Sequence, residues 1–296
     1  MAKAKSLSLL EFQSKFPDEQ TCRQHLFQLR WGEGFSCPSC QCTEYYYIER
    51  RKLYECHACG HQTSLTAGTI MHKTKLPLLV WFWAIYLVAH DKRGRSALSV
   101  ALILNLNYRT SWRLLRKIRS AMSQRDSGYQ LAGIVEIDDA YFGAPRPGTY
   151  GRGTTKTAVA VALSKNAAGG PQFVRMHVID RVTIAEIHRI ATDCIATGTT
   201  IVSDGHTSYK HLEELGYKHV SQDYNKSNPE EFLKWLHILI GNAKAFIDGT
   251  YHGLDSTYLQ SYLDEFCYRF NRRHNPNELF SRLLNACLFA IPVKVS

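Results

Sequence analysis

No run of apolar residues in this 296-residue chain is long enough to cross a bilayer. The longest, LPLLVWFWAIYLVA at 76–89, falls short of the roughly 20 residues a spanning helix needs, so a buried helix is expected there. The basic start, MAKAKSLSLLEFQSKF, lacks the continuous apolar core and small-residue cleavage site of a secretory signal. Paired cysteines are missing too: there are nine, an odd count. Without a signal segment, that argues against a disulfide framework and for a reducing cytoplasm. Cys194, Cys267 and Cys287 are scattered singletons, expected as small core residues. Internal repeats and low-complexity stretches are absent. The 45% hydrophobic and 21% charged fractions are ordinary for a globular protein, and the length allows one large domain or two to three smaller ones.

Acid is scarce in the first part of the chain. Residues 1–126 hold 19 Lys and Arg against 9 Asp and Glu, a balance of +10, while residues 127–296 hold 17 of each. All the excess positive charge therefore lies N-terminally, which points to a polyanion-binding half joined to a neutral half with another task.

The other six cysteines lie in the first 59 residues. CPSCQCTEYYYIERRKLYECHACG reads as C-x2-C, fifteen residues, then C-x2-C. That spacing lets two knuckles close on one tetrahedral Zn²⁺, with Cys37, Cys40, Cys56 and Cys59 as ligands and Cys42, His57 and His61 off the pattern. The aromatic, basic segment between them suits a β-hairpin too small to hold a core without metal. Four thiolates leave no open coordination position, so this zinc is expected to be structural. Arg50, Arg51 and Lys52 at the hairpin favour nucleic acid as the partner.

Residues 96–104 have helical periodicity, 105–107 read as a turn, and 108–122 resume the helix. In the second helix Tyr108, Trp112 and Leu115 share one face, while Arg109, Arg113, Arg116 and Lys117 repeat the spacing about 100° around it. Short helix, tight turn and basic-striped helix predict a helix-turn-helix whose second helix enters the DNA major groove, with Tyr108 and Thr110 among its contacts.

From residue 133 onward strands are expected at 133–143, 155–165 and 172–180, then a helix at 183–196, a short strand at 199–205 and a helix at 208–216, then helices near 229–247, 256–272 and 277–289, which describes an α/β domain with a mixed sheet. In EIDDAYFG, alternation puts Glu136 and Asp138 on one face of a strand and Val135, Ile137 and Asp139 on the other. Crowded carboxylates repel, so a cation is expected to face them. Asp204, in VSDG, also ends an apolar strand, where open α/β sheets place ligand sites. Two such aspartates beside a DNA-binding part point to a Mg²⁺ site.

The CPSC…CHAC ribbon, EIDDAYFG, VSDGHTSY, HILIGNAK, GTYHG and YLDEFCYRFNRR together resemble bacterial insertion-sequence transposases with an N-terminal zinc ribbon and an RNase H-like DDE-type domain. The resemblance spans about 27–288. It implies Asp138 and Asp204 as catalytic aspartates and Asn242 as the third metal ligand, where most such enzymes have Glu and a subgroup Asn. Lys244 would hold phosphate, although two residues along a helix is about 200° of rotation and points it away from Asn242. Glu136 or Glu265 is the alternative third carboxylate. His237, His252, Arg269, Asn271, Arg272 and Arg273 match family positions without an assigned role. The cofactors implied are structural Zn²⁺ and catalytic Mg²⁺, with Mn²⁺ as an alternative. The partners implied are double-stranded DNA at element ends and target, and a second copy or more of the chain, in a nucleoid-associated setting. The expected architecture is multidomain α+β: an N-terminal helical segment (1–35), the ribbon (36–72), the helix-turn-helix region (73–126) and the catalytic domain (131–291). The rival functions are a silent DNA-binding regulator and an RNase H-like nuclease without strand transfer.

Overall fold

The structure, a computed structural model, describes residues 7–143, 156–222, 233–252 and 254–293. It divides into two compact units, Met1–Gln124 with Asn275–Ser296, and Arg125–His274.

The first unit opens with α1 (Leu9–Lys15) and α2 (Glu19–Arg30). Ser8 and Glu11 form a reciprocal capping box on α1, and the Asp18 side chain caps α2 by accepting from Thr21 N, which satisfies N–H groups that a helix start leaves unpaired. The ribbon is a three-stranded antiparallel sheet of β1 (Tyr45–Ile48), β2 (Leu53–Cys56) and β3 (Gln62–Ser64). The hairpin expected from the sequence thus has a third strand. Tyr45 and Tyr54 from this sheet pack against Phe27, Trp31 and Phe35 around the end of α2, and Tyr47 packs against Tyr54, so aromatic packing supports a sheet too small for a core of its own.

The apolar run becomes α3 (Leu78–His90), whose buried residues include Trp81, Phe82, Ala84 and Ile85. Pro77 precedes it and offers no side-chain cap; Glu19 of α2 supplies one, accepting from Leu78 N and Leu79 N at 3.0 and 2.9 Å. Next come α4 (Ala97–Leu104), capped by Ser96, and α5 (Tyr108–Ser127). Asn105 between them takes the left-handed conformation, φ +49°, which asparagine tolerates better than most residues.

The second unit is built on a five-stranded sheet of β4 (Ile134–Phe142), β5 (Thr157–Lys165), β6 (Pro171–Ile179), β7 (Thr200–Asp204) and β8 (Lys218–Gln222), ordered β6-β5-β4-β7-β8. The first three are antiparallel, while β7 runs parallel to β4 and β8 parallel to β7. This is the mixed sheet anticipated. Helix α6 (Ile184–Cys194) packs on one face, where Val135, Ile137 and Ile201 are buried. Helices α7 (Lys234–Thr250) and α8 (Leu259–Asn271) cover the other, over Ala140, Phe142, Val159 and Val161. The helical stretch expected from 229 begins outside the described residues at 229–232. The helix expected near 208–216 is two 3₁₀ turns, Thr207–Tyr209 and Leu212–Leu215, separated by His211 at φ +66°. A non-glycine residue in that region interrupts a helix.

The last helix, α9 (Leu279–Phe289), groups with the first unit. Phe280 sits among Phe12, Phe16, Phe82 and Tyr86, with ring centroids 5.3 to 6.5 Å apart. The sequence reading ran the C-terminal domain on to 291, because nothing in the order of elements signals that the chain returns.

Candidate functional site

The two candidate aspartates lie on neighbouring strands. β4 and β7 pair Ile134 with Thr200, Val135 with Ile201 and Glu136 with Val202, where their ladder ends. Asp138 and Asp204 each follow two residues beyond the last pair, so alternation puts both on the sheet face of Glu136 and Val202. Asp138 Oδ1 accepts from Asp139 N at 2.8 Å, and Asp204 Oδ1 accepts from His206 N at 3.1 Å. Asp204 ends β7 as expected, whereas Asp138 sits in the middle of β4, which runs on to Phe142 because pairing with β5 continues to that residue.

The face assignment from alternation holds. Val135 and Ile137 lie in the core under α6, and Ala140 lies in the core under α7 and α8. Asp139 sits on the α6 face, 3.5 Å from the hydroxyl of fully buried Tyr209. Glu136 shares the Asp138 face but is buried against Lys165, Oε1 to Nζ 2.7 Å. Glu265 is also committed elsewhere, buried and bonded to Arg269 at 2.7 Å.

Helix α7 brings His237 to Asp138, with Nε2 3.3 Å from Oδ2. The hydrogen bond to Asp138 raises the imidazole's pKa above its ordinary value, against the opposing effect of burial. Seven residues on, Lys244 returns to within about 20° of the same helix face. Its amine lies 5.7 Å from the centre of the Phe142 ring, and burial, then the charge of Lys156, lowers its pKa. Asn242 is exposed and lies five residues from His237, about 140° around the helix. Among the described residues no hydrogen bond links Asn242 to either aspartate. The signal for His237 was present in the sequence as its seven-residue spacing from Lys244, two helical turns.

The remaining family-matched residues are structural where their contacts are described. Arg272 pairs with Asp126 at 2.7 Å with both side chains about 10% exposed, and its guanidinium stacks 3.6 Å from the centre of the Tyr268 ring. Asn271 bridges Asp126 and the backbone of Val174, and Arg273 donates to carbonyls at the start of β6. His252 is exposed.

In the ribbon, Cys37, Cys40, Cys56 and Cys59 place their Sγ atoms within 4.8 Å of one another. Cys37 and Cys59 are 3.7 Å apart, and Cys40 and Cys56 3.5 Å. A tetrahedron with Zn–S near 2.3 Å has edges of about 3.8 Å, so the four thiols fit one zinc ion. The backbone N–H of Cys59 is the largest influence holding the Cys56 thiol down at about 6, while Cys40 in the same group is pushed up to about 12, so one proton is held tightly within the metal-free group. Cys42, His57 and His61 lie outside the four-thiol group.

On α5 the basic stripe is partly covered. Tyr108 and Arg109 are exposed, Thr110 and Arg113 half-buried. Arg116 stacks over Trp112 at 4.7 Å, and Lys117 lies over Trp81 at 5.9 Å with its pKa lowered by burial. Arg119, which sequence reading did not single out, is buried.

Residues 17–62 match the transposase zinc-ribbon domain, and residues 130–271 match the ISXO2-like transposase domain. The chain is 26% identical over 217 residues to an uncharacterized protein in transposable element ISH50 of Halobacterium salinarum, covering 67% of this chain and 71% of that one. Among solved structures, the catalytic core domain of BIV integrase is 15% identical with a TM-score of 0.33, over 51% of this chain and 95% of its own. A pre-cleavage Mos1 transpososome is 13% identical with a TM-score of 0.31, over 69% and 76%. At such TM-scores these two likenesses add nothing to what the strand order shows.

Proposed function

Because the chain belongs to the insertion-sequence transposases with an N-terminal zinc ribbon, we propose that it binds the ends of its element, cleaves the DNA there and joins the freed 3′-hydroxyls to target DNA. The observation that supports this most directly is that Asp138 and Asp204 lie on adjacent parallel strands, each two residues beyond the last pair of that ladder and on the same face. An RNase H-like domain is the fold this reading assigns to the second unit. Element ends would be gripped by the first unit, with Arg109, Arg113 and Arg116 of α5 facing DNA.

Two partly exposed carboxylates on adjacent inner strands of the sheet suit a hard divalent cation such as Mg²⁺ or Mn²⁺. When bound, such ions polarise the scissile phosphodiester and lower the pKa of an attacking water. Asp138 and Asp204 would hold them, each fixed by the backbone N–H it already accepts. Helical geometry supports His237 over Asn242 as the third group, since His237 is the α7 side chain in contact with Asp138. An imidazole nitrogen is a softer donor than a carboxylate and moves the preference from Mg²⁺ toward Mn²⁺. Lys244, on the same face, would meet the DNA phosphate.

The test uses purified full-length protein and a duplex carrying the element's end. Asp138→Ala and Asp204→Ala are each expected to abolish cleavage and strand transfer while leaving end binding within about threefold, because they remove metal ligands rather than DNA contacts. Asp139→Ala, on the other face, is expected to be milder. Equal loss at Asp138 and Asp139 would overturn the assignment. Cleavage without joining by the wild type would favour a nuclease.

A further inference from the structure

Beside the hairpin turn of the ribbon, the first unit has an open hollow of about 270 Å³ that the catalytic reading does not use. Four stretches wall it, one of them the uncharged Ser64, Leu65 and Thr66 at the end of β3 and just beyond it. Helix α2 supplies Glu19 and Arg23, the β1–β2 turn supplies Arg51 and Lys52, and the segment before α3 supplies Lys73 and Thr74. Four cationic side chains from separate parts of the chain therefore meet at one hollow. Gathering like charges raises the energy of each, so the hollow suits an anion.

Glu19 is the one acid in the lining and offsets a single charge, so the balance there stays positive. Both oxygens of Glu19 are taken by Leu78 N and Leu79 N, at 3.0 and 2.9 Å. Lys52 has an ion pair with Glu49, and Arg51 donates to the neutral side chain of Gln62 at 2.9 Å. Arg23 lies against the Tyr54 phenol, another neutral partner. Lys73 is exposed and has no hydrogen-bond or ion-pair partner among the described residues. The lining holds no aromatic side chain apart from His72, so it lacks the stacking platform that an unpaired base would need. Cations and hydroxyls without a platform are the chemistry of phosphate recognition.

We infer that this hollow seats one phosphate of the DNA backbone, giving the ribbon its own grip on DNA, separate from that of α5. The inference rests on the DNA-binding reading above. A backbone contact of this kind carries no sequence information and adds affinity equally on any duplex. Free inorganic phosphate presents the same oxygens, so the experiment separates the two sources.

Binding of the full-length protein to an element-end duplex and to a random duplex is measured between 50 and 200 mM salt, for wild type, Lys73→Gln and the Arg23→Gln/Lys73→Gln double variant. Each lost phosphate contact should reduce the slope of log K against log salt by about 0.9. The double variant is expected to lose about one unit on both duplexes, with metal content unchanged. Lys92→Gln, which removes an exposed lysine away from the cavity, is expected to leave the slope as it is. If the double variant fails to fold, the exposed Lys73→Gln change carries the test alone. An unchanged slope overturns this inference by itself, as does an equal loss in Lys92→Gln. Competition by millimolar inorganic phosphate without any variant effect on DNA binding would make the hollow a free-anion site and overturn it too. A wild type that binds neither duplex overturns the proposed function and this inference together.

Discussion

At the residue scale, the contrast between His237 and Asn242 decides how the site is completed. Both lie on α7 (234–250), and the family resemblance drew attention to the asparagine because an amide oxygen can ligate a hard cation. The helix repeat separates them by about 140°, and only His237 reaches Asp138. His237→Ala is expected to lower cleavage by at least about a hundredfold, the scale on which loss of one positioned group acts. Asn242→Ala should stay within about threefold of wild type. Comparable losses in the two variants, measured in the same end-cleavage assay, would return Asn242 to the site. That Asp138 and Asp139 face opposite sides of β4 was legible, because strand alternation is a period of two and needs no tertiary information. The third group was not legible in the same way, since a helix face becomes a site only when something packs against it.

The ribbon shows what one element can and cannot announce. Cysteine spacing named all four ligands, since metal geometry restricts which spacings can close. It did not announce the third strand, whose three residues carry no pattern of their own, nor the aromatic cluster joining the sheet to α2 (19–30). Cys56→Ser is expected to abolish stoichiometric zinc and to unfold residues 36–64, because a metal-held sheet is unfolded without its ion. Elemental analysis with limited proteolysis checks this, and a protease-resistant ribbon without metal would contradict it. The α3 start is a similar case. Its cap comes from Glu19, 59 residues earlier, a distance over which no capping signature can be read. Strand β8 (218–222) was missed for a related reason: KHVSQ is mostly polar, and its place at the sheet edge comes from pairing with β7.

For the whole molecule, the charge asymmetry pointed to two parts but not to how the chain divides between them. The first unit contains both chain ends, and the second occupies the stretch between. Phe280 of α9 (279–289), 4% exposed, completes an aromatic cluster with Phe12, Phe16 and Phe82. Phe280→Ala should cost the first unit about 3–5 kcal/mol, typical of a large buried ring removed without collapse of the site. Thermal unfolding should then show an earlier transition for the first unit while that of the second stays in place. A uniform shift of both would mean that α9 serves the two units alike. The same arrangement also orders events in time. During synthesis Phe12, Phe16 and Phe82 emerge first, the entire second unit follows, and only then does Phe280 leave the ribosome. The unit proposed to hold DNA therefore matures after the unit proposed to cut it, and a nascent or prematurely ended copy carries its carboxylates without a finished grip.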